Sequence, residues 1–193
     1  MLVAPPQCMV LMLGNEVLDG SRIVDRLLMW TVEIIPRQRP TAEISLDHPF
    51  FWTNEKKVDV LIAVGNQSEF ECPRAKRSTP TAVEIDLEKT FSTIVMHGTW
   101  NDPTYKEMPD IYAEMTSTKR KSYDTHSVVE LVRFIRNAYA HVSESTRPAI
   151  RKMLLEDFMF LEYFPHLVME VYKVVTNHGW DQSVEEIVYV MKK

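Results

Sequence analysis

SVVELVRFIRNAYAH, residues 127–141, is the stretch on which the fold turns. Ser127 and Glu130 stand at the spacing of a helix capping box, in which a side-chain oxygen accepts from the third backbone N–H of the helix. Behind them Val128, Leu131, Val132, Ile135 and Tyr139 recur with helical period and supply a stripe for burial. At about 100° per residue, Asn137 and His141 fall about 40° apart on the face opposite Ile135 and Tyr139, with Arg136 at the flank. The stretch predicts a helix with an apolar stripe and a polar cluster near its C-terminal end.

The same period runs outward in both directions. Ile23, Leu27, Trp30 and Ile34 mark a helix over Ser21–Ile35 that stops before Pro36. A short helix follows Arg39-Pro40-Thr41 toward His48-Pro49, and Val58, Leu61 and Ile62 make the face of another that Gly65-Asn66 ends. Glu69 to Pro80, with Cys72-Pro73, Lys76-Arg77 and Ser78-Thr79-Pro80, reads as an exposed loop. Val83, Leu87, Phe91, Ile94 and Val95 predict one helix closed by Gly98, and Asn101-Asp102-Pro103 a turn. Pro148 opens a helix carrying Ile150, Met153 and Leu154. Leu167, Val168, Val171, Tyr172 and Val175 build a last strong one before Gly179. Alternating patterns long enough for strands are absent, so the fold class is all-α.

Composition narrows the function. The 193 residues are 45% hydrophobic and 25% charged, which excludes collagen-like, low-complexity and disordered chains. A net charge of −5 excludes a protein that coats nucleic acid indiscriminately. Two cysteines, Cys8 and Cys72, without a C-x-x-C, favour a reducing compartment, read as cytoplasmic or nuclear. No apolar run reaches the roughly 18–20 residues of a bilayer span. His97, His126, His166 and His178 show no metal-ligand spacing with either cysteine, so no metal and no cofactor are expected.

His48-Pro49-Phe50-Phe51-Trp52, preceded by Arg39-Pro40-Thr41-Ala42, resembles the last helices of a protein-kinase C-lobe. The continuation from Glu55-Lys56-Lys57 to Val64-Gly65-Asn66 resembles the junction into a kinase-extension nuclease (KEN) domain, as in RNase L and the endoplasmic-reticulum stress-sensor kinase/endoribonucleases. Trp100, Phe134-Ile135-Arg136-Asn137 with His141, and Tyr163-Phe164-Pro165-His166-Leu167-Val168 with Tyr172 extend the resemblance over about residues 20–178. It implies an irregular segment over 1–19, a kinase C-lobe-like remnant over 20–52, a KEN ribonuclease domain over 53–178, and a tail or short helix over 179–193. A kinase's glycine-rich loop, strand lysine, catalytic-loop Asp and Asp-Phe-Gly are missing, so ATP binding and kinase activity are not expected.

The resemblance assigns the nuclease residues one at a time. Arg136 and Asn137 occupy the family's Arg-Asn pair, His141 follows at the family spacing, and Tyr123, thirteen residues before Arg136, takes the place of the active-site tyrosine. Ala138, Tyr139 and Ala140 replace the basic residues that the stress-sensor branch carries between Asn137 and His141.

The chemistry suits such a set. RNA brings its own nucleophile, the 2′-OH, so cleavage without a metal needs a base or polariser for that hydroxyl. It also needs an acid for the leaving 5′-oxygen and donors for the phosphorane-like transition state. A histidine, with an ordinary pKa near 6.5, serves as acid. Arg136 offers a permanent forked donor, Asn137 an amide, and Tyr123 a base only where neighbouring cations lower its pKa. A continuous helix from Tyr123 to His141 would hold the two roughly 27 Å apart, so the loop before Ser127 must fold back, or two chains must share the site.

Lys119-Arg120-Lys121 adds a candidate RNA-binding strip: Thr118–His141 holds five Lys/Arg against two Asp/Glu. Trp100 and Phe164 read as core anchors rather than base-stacking platforms. The expected activity is metal-independent cleavage of single-stranded or loop RNA, leaving a 2′,3′-cyclic phosphate and a 5′-OH. The alternative is a non-catalytic module that pairs with a full-length relative. Because the resemblance implies a nuclease that works as a dimer, the expected partners are RNA and either a second copy or such a relative.

Overall fold

A computed structural model describes residues 41–71, 79–117, 122–144 and 148–193. The chain divides into two compact units, Met1–Pro40 and Thr41–Lys193, and every described residue belongs to the second. The expected helix over Ser21–Ile35, Cys8, Cys72, Lys76-Arg77 and the strip Lys119-Arg120-Lys121 lie outside the described residues.

The described residues are helical, without a strand, and the all-α reading holds. Helix α1 (Ala42–Leu46) and a 3₁₀ turn (Pro49–Phe51) lead into α2 (Asn54–Gly65), which Thr53 caps by accepting from Lys56 N–H at 3.2 Å. Then come α3 (Ser68–Glu71), α4 (Ala82–Glu88), α5 (Phe91–Ile94), α6 (Met108–Ser117) and α7 (Val128–Ala140). After a 3₁₀ turn (Val142–Glu144), α8 (Pro148–Leu155), α9 (Met159–Tyr163), α10 (Leu167–Asn177), α11 (Trp180–Ser183) and α12 (Glu185–Lys192) complete the chain. No helix among the described residues is long and apolar enough to cross a membrane.

Helix α7 is the axis of the unit. α2, α3 and α4 pack on it, while α10 and α12 pack on α2. Ten of its residues are buried, including Glu130, Arg133 and Asn137, so the apolar stripe of the sequence is only one of its covered faces. Asn137 therefore faces other protein groups rather than water, while Arg136 and His141 stay half-buried. An aromatic group fills the space beside it: Trp100 and Tyr123 each place a ring centroid 5.1 Å from that of Phe134.

Three local expectations need correction. The single helix expected from Val83 to Val95 is two, broken at Lys89-Thr90, where Thr90 Oγ1 donates to Leu87 O at 2.7 Å and competes with the helical ladder. The loop expected from Glu69 begins instead inside α3, whose Phe70 is fully buried. Ser127 does cap α7, accepting from Glu130 N–H at 3.1 Å, but its own N–H donates to Asp124 O and the Glu130 carboxylate pairs with Arg133. The anion at this helix start comes from α4. Glu88 accepts from Val128 and Val129 N–H at 3.1 and 3.3 Å and from Ser127 Oγ at 2.5 Å. A carboxylate there satisfies orphan donors and complements the helix dipole.

Candidate active site at the end of helix α7

The residues assigned to chemistry converge on the C-terminal half of α7. Asn137 Nδ2 donates to the Tyr123 hydroxyl at 2.9 Å, Arg136 Nη1 donates to Asn137 Oδ1 at 2.9 Å, and Arg136 Nε donates to Gly65 O at 3.1 Å. A hydrogen-bonded series thus runs from the 122–127 loop through α7 to the end of α2. The loop folds back within one chain, which resolves the distance that a continuous helix would impose.

Trp100 holds that loop. Its indole N–H is shared between Asp124 O and Ser127 O at 3.2 and 3.1 Å, and its backbone N–H donates to Thr125 O at 3.1 Å. Trp100 and Phe164 are both fully buried, as expected of core anchors. Trp100 has in addition a positioning role that sequence spacing does not display.

Burial differs sharply along the series. Tyr123 and Asn137 are each 4% exposed, whereas Arg136 and His141 are half-buried. Burial pushes the Tyr123 phenol up, against the smaller lowering effects of the Asn137 hydrogen bond and the Arg133 and Arg136 charges. Tyr123 is therefore a neutral phenol near neutral pH, and the condition for its acting as a base is not met. His141 is the C-cap of α7, its backbone N–H bonded to Asn137 O. It borders a small cavity of about 20 Å³ with Ile111, Glu114 and Met115 of α6 and Ile150 and Leu154 of α8. It thus stands one turn beyond Asn137, outside the hydrogen-bonded series.

Gly65 is read from sequence as a helix stop, and it is the last residue of α2. Its second role is close approach. A Cβ there would lie 2.7 Å from Arg136 Cβ and 3.2 Å from Arg136 Cγ. Arg136 Cβ is rooted in the backbone of α7, so the two helices would have to part. Gly65→Ala is expected to destabilise the unit by about 1–3 kcal/mol, the usual cost of overpacking. Thermal unfolding checks this, and an unchanged Tm would mean that the contact yields freely.

Among the described residues no group of His, Cys, Asp and Glu could hold a metal ion. Three of the other histidines make structural contacts. His48 caps the 3₁₀ turn by accepting from Phe50 N–H, His178 Nε2 meets Asp86 Oδ2 at 2.9 Å, and His126 stacks on Phe91.

An all-helical unit in which a loop tyrosine meets an Arg-Asn pair on the central helix is what the resemblance to a kinase-extension nuclease domain implies. Residues 57–188 match the sequence model of the Ribonuclease 2-5A family, and the chain belongs to that family. It is 28% identical over 153 residues to the sensor for unfolded proteins in the ER ire1 of Schizosaccharomyces pombe, covering 77% of this chain and 13% of the relative. It is 29% identical over 160 residues to the serine/threonine-protein kinase/endoribonuclease ire-1 of Caenorhabditis elegans, covering 81% and 15%. With the 2-5A-dependent ribonuclease of Mus musculus it shares 28% identity over 129 residues, covering 66% and 17%. The chain therefore spans less than a fifth of the length of each of these relatives.

Proposed function

We propose that this domain is an endoribonuclease that cleaves single-stranded or loop RNA through its 2′-OH. The observation that carries the reading is the Tyr123–Asn137–Arg136 series, assembled within one chain one turn before His141. The relatives' names, which include endoribonuclease and 2-5A-dependent ribonuclease, support the same reaction class.

The geometry suggests a division of labour. Arg136 spends Nε and Nη1 on Gly65 and Asn137, which fixes the plane of the guanidinium. Its remaining N–H groups donate to the non-bridging oxygens of the scissile phosphate, where negative charge grows in the transition state. Asn137, buried and engaged through both amide atoms, orients Arg136 and Tyr123 rather than binding phosphate itself. Tyr123, a neutral phenol, polarises the 2′-hydroxyl by hydrogen bonding, and the hydroxyl proton passes to water as the oxygen attacks phosphorus. The bond to the 5′-oxygen breaks, and His141 as imidazolium protonates that oxygen. The products are a 2′,3′-cyclic phosphate and a 5′-OH. Lys119, Arg120 and Lys121, close in sequence to Tyr123, extend the phosphate contacts along the RNA strand.

A second reading, a regulatory module that pairs with another copy or a full-length relative, draws on the near-complete burial of Tyr123 and Asn137. One assay separates the two. RNA incubated with the protein in chelator is expected to yield 2′,3′-cyclic phosphate and 5′-OH ends, and Asn137→Ala is expected to abolish them. Ends of the 3′-OH type, cleavage that the chelator abolishes, or cleavage that Asn137→Ala leaves unchanged would reject this reading.

A further inference from the structure

Behind the site lies a charged pair that the reaction above does not use. Glu130 and Arg133 of α7 are 2% and 4% exposed, and Arg133 Nη1 lies 2.5 Å from Glu130 Oε2. Removing two charges from water is costly, and an apolar pair of similar volume would avoid that cost. The pair does not face apolar core alone. The Arg133 guanidinium carbon sits 4.8 Å from the centroid of the Tyr123 ring, within the range of a cation–π contact. Phe134 meets the same ring edge-to-face at 5.1 Å, and Trp100 lies at 6.5 Å. The hydroxyl at the far end of the ring accepts from Asn137.

We propose that Arg133, held by Glu130, is a positioning residue of the nuclease site: it clamps the Tyr123 ring against Phe134 and sets its positive charge over the face of that ring. The proposal rests on the nuclease reading for its purpose, though its electrostatic content can be measured without RNA. The charged and titratable groups around Tyr123 are Arg133, Glu130 and Arg136 on α7 and Tyr112 on α6, whose hydroxyl donates to Tyr123 O at 3.4 Å. Burial pushes the phenol up. The Asn137 hydrogen bond and then the Arg133 charge pull it down, Glu130 pushes it up, and Arg136 pulls it down least. Arg133 and Glu130 therefore act on Tyr123 with opposite signs.

The sign is the test. A fluorinated tyrosine at position 123 makes the phenol more acidic, and its ¹⁹F resonance reports ionisation in the folded protein without RNA. Arg133→Met is expected to raise the midpoint, Arg133→Lys to restore most of it, and Glu130→Gln to lower it. With RNA, kcat for Arg133→Met should fall at least about tenfold because the Tyr123 ring loses its clamp, while KM stays within about twofold of wild type. Should Arg133→Met fail to fold, the Glu130→Gln/Arg133→Met double variant removes both charges, and its midpoint should lie above that of Glu130→Gln. Midpoints that do not move, or that move in the same direction for both charges, would overturn the proposal. Because they are read without substrate, failure here is distinct from failure of the cleavage chemistry.

Discussion

Arg136→Ala is expected to lower RNA cleavage by at least about 10²-fold, the low end for removing a preorganised donor to a developing oxyanion. The more telling variant is Arg136→Lys. A lysine keeps the charge but has one terminal ammonium group, which cannot reproduce the guanidinium held by Gly65 O through Nε and by Asn137 Oδ1 through Nη1. If the fixed plane matters, Arg136→Lys should fall almost as far as Arg136→Ala. If charge alone matters, it should stay near wild type, and the fork reading would be lost. Asn137→Ala removes the link between Tyr123 and Arg136, so its loss should overlap with that of Arg136→Ala rather than multiply it. Residues that act as one unit show such non-additivity. Single-turnover rates for the single and double variants, alongside thermal unfolding to confirm that each remains folded, check both expectations. A double variant that multiplies the separate losses would mean that the two side chains act independently.

What the sequence displays and what it hides follow one physical line. Val128, Leu131, Val132 and Ile135 repeat at the helical period, and all four are fully buried. Periodicity reports apolar burial directly. It says nothing about buried polar groups, because burial of those depends on partners supplied from elsewhere in the chain. Asn137 therefore reads as part of an exposed face, although Tyr123 and Arg136 satisfy it inside the unit. Glu130 reads as half of a capping box, although its carboxylate pairs with Arg133. Gly65 reads as a stop because a single sequence does not show that Arg136 approaches it from another helix.

Helix α6 is a different case. The sequence reading places no helix between Pro103 and Ser127, yet Met108, Ile111, Tyr112 and Met115 stand at i, i+3, i+4 and i+7. That signal was available. Tyr123, by contrast, comes from the family resemblance, since no periodicity connects a loop residue to a helix fourteen positions away. Resemblance named the candidate residues, and the fold brings three of the four together within one chain.

Trp100→Ala should be the most damaging core substitution. Removing a fully buried tryptophan costs about 3–5 kcal/mol, a drop in Tm of roughly 6–20 °C for a unit of this size. Loss of packing alone would make the effect general, so Trp100→Phe is the sharper comparison. Phenylalanine keeps an aromatic ring near Phe134 but offers no N–H, leaving Asp124 O and Ser127 O without the indole donor. The backbone bond from residue 100 to Thr125 O survives in both variants, so the loop should loosen rather than detach. Asp124 O keeps the N–H of Ser127 and Ser127 O keeps the N–H of Leu131, so losing the indole bond costs about 1 kcal/mol, which is modest beside the alanine variant. Activity should show a different balance. Tyr123 precedes the pinned carbonyls and reaches Asn137 across a single 2.9 Å hydrogen bond, so a small shift of the loop breaks the series at its first link. A misplacement of about 1 Å can cost 10²-fold in rate. Trp100→Phe is therefore expected to lose far more cleavage than stability when both are measured at a temperature where the variant is fully folded. If activity instead tracks the folded fraction across a thermal titration, Trp100 serves the core alone, and the loop finds its place without it.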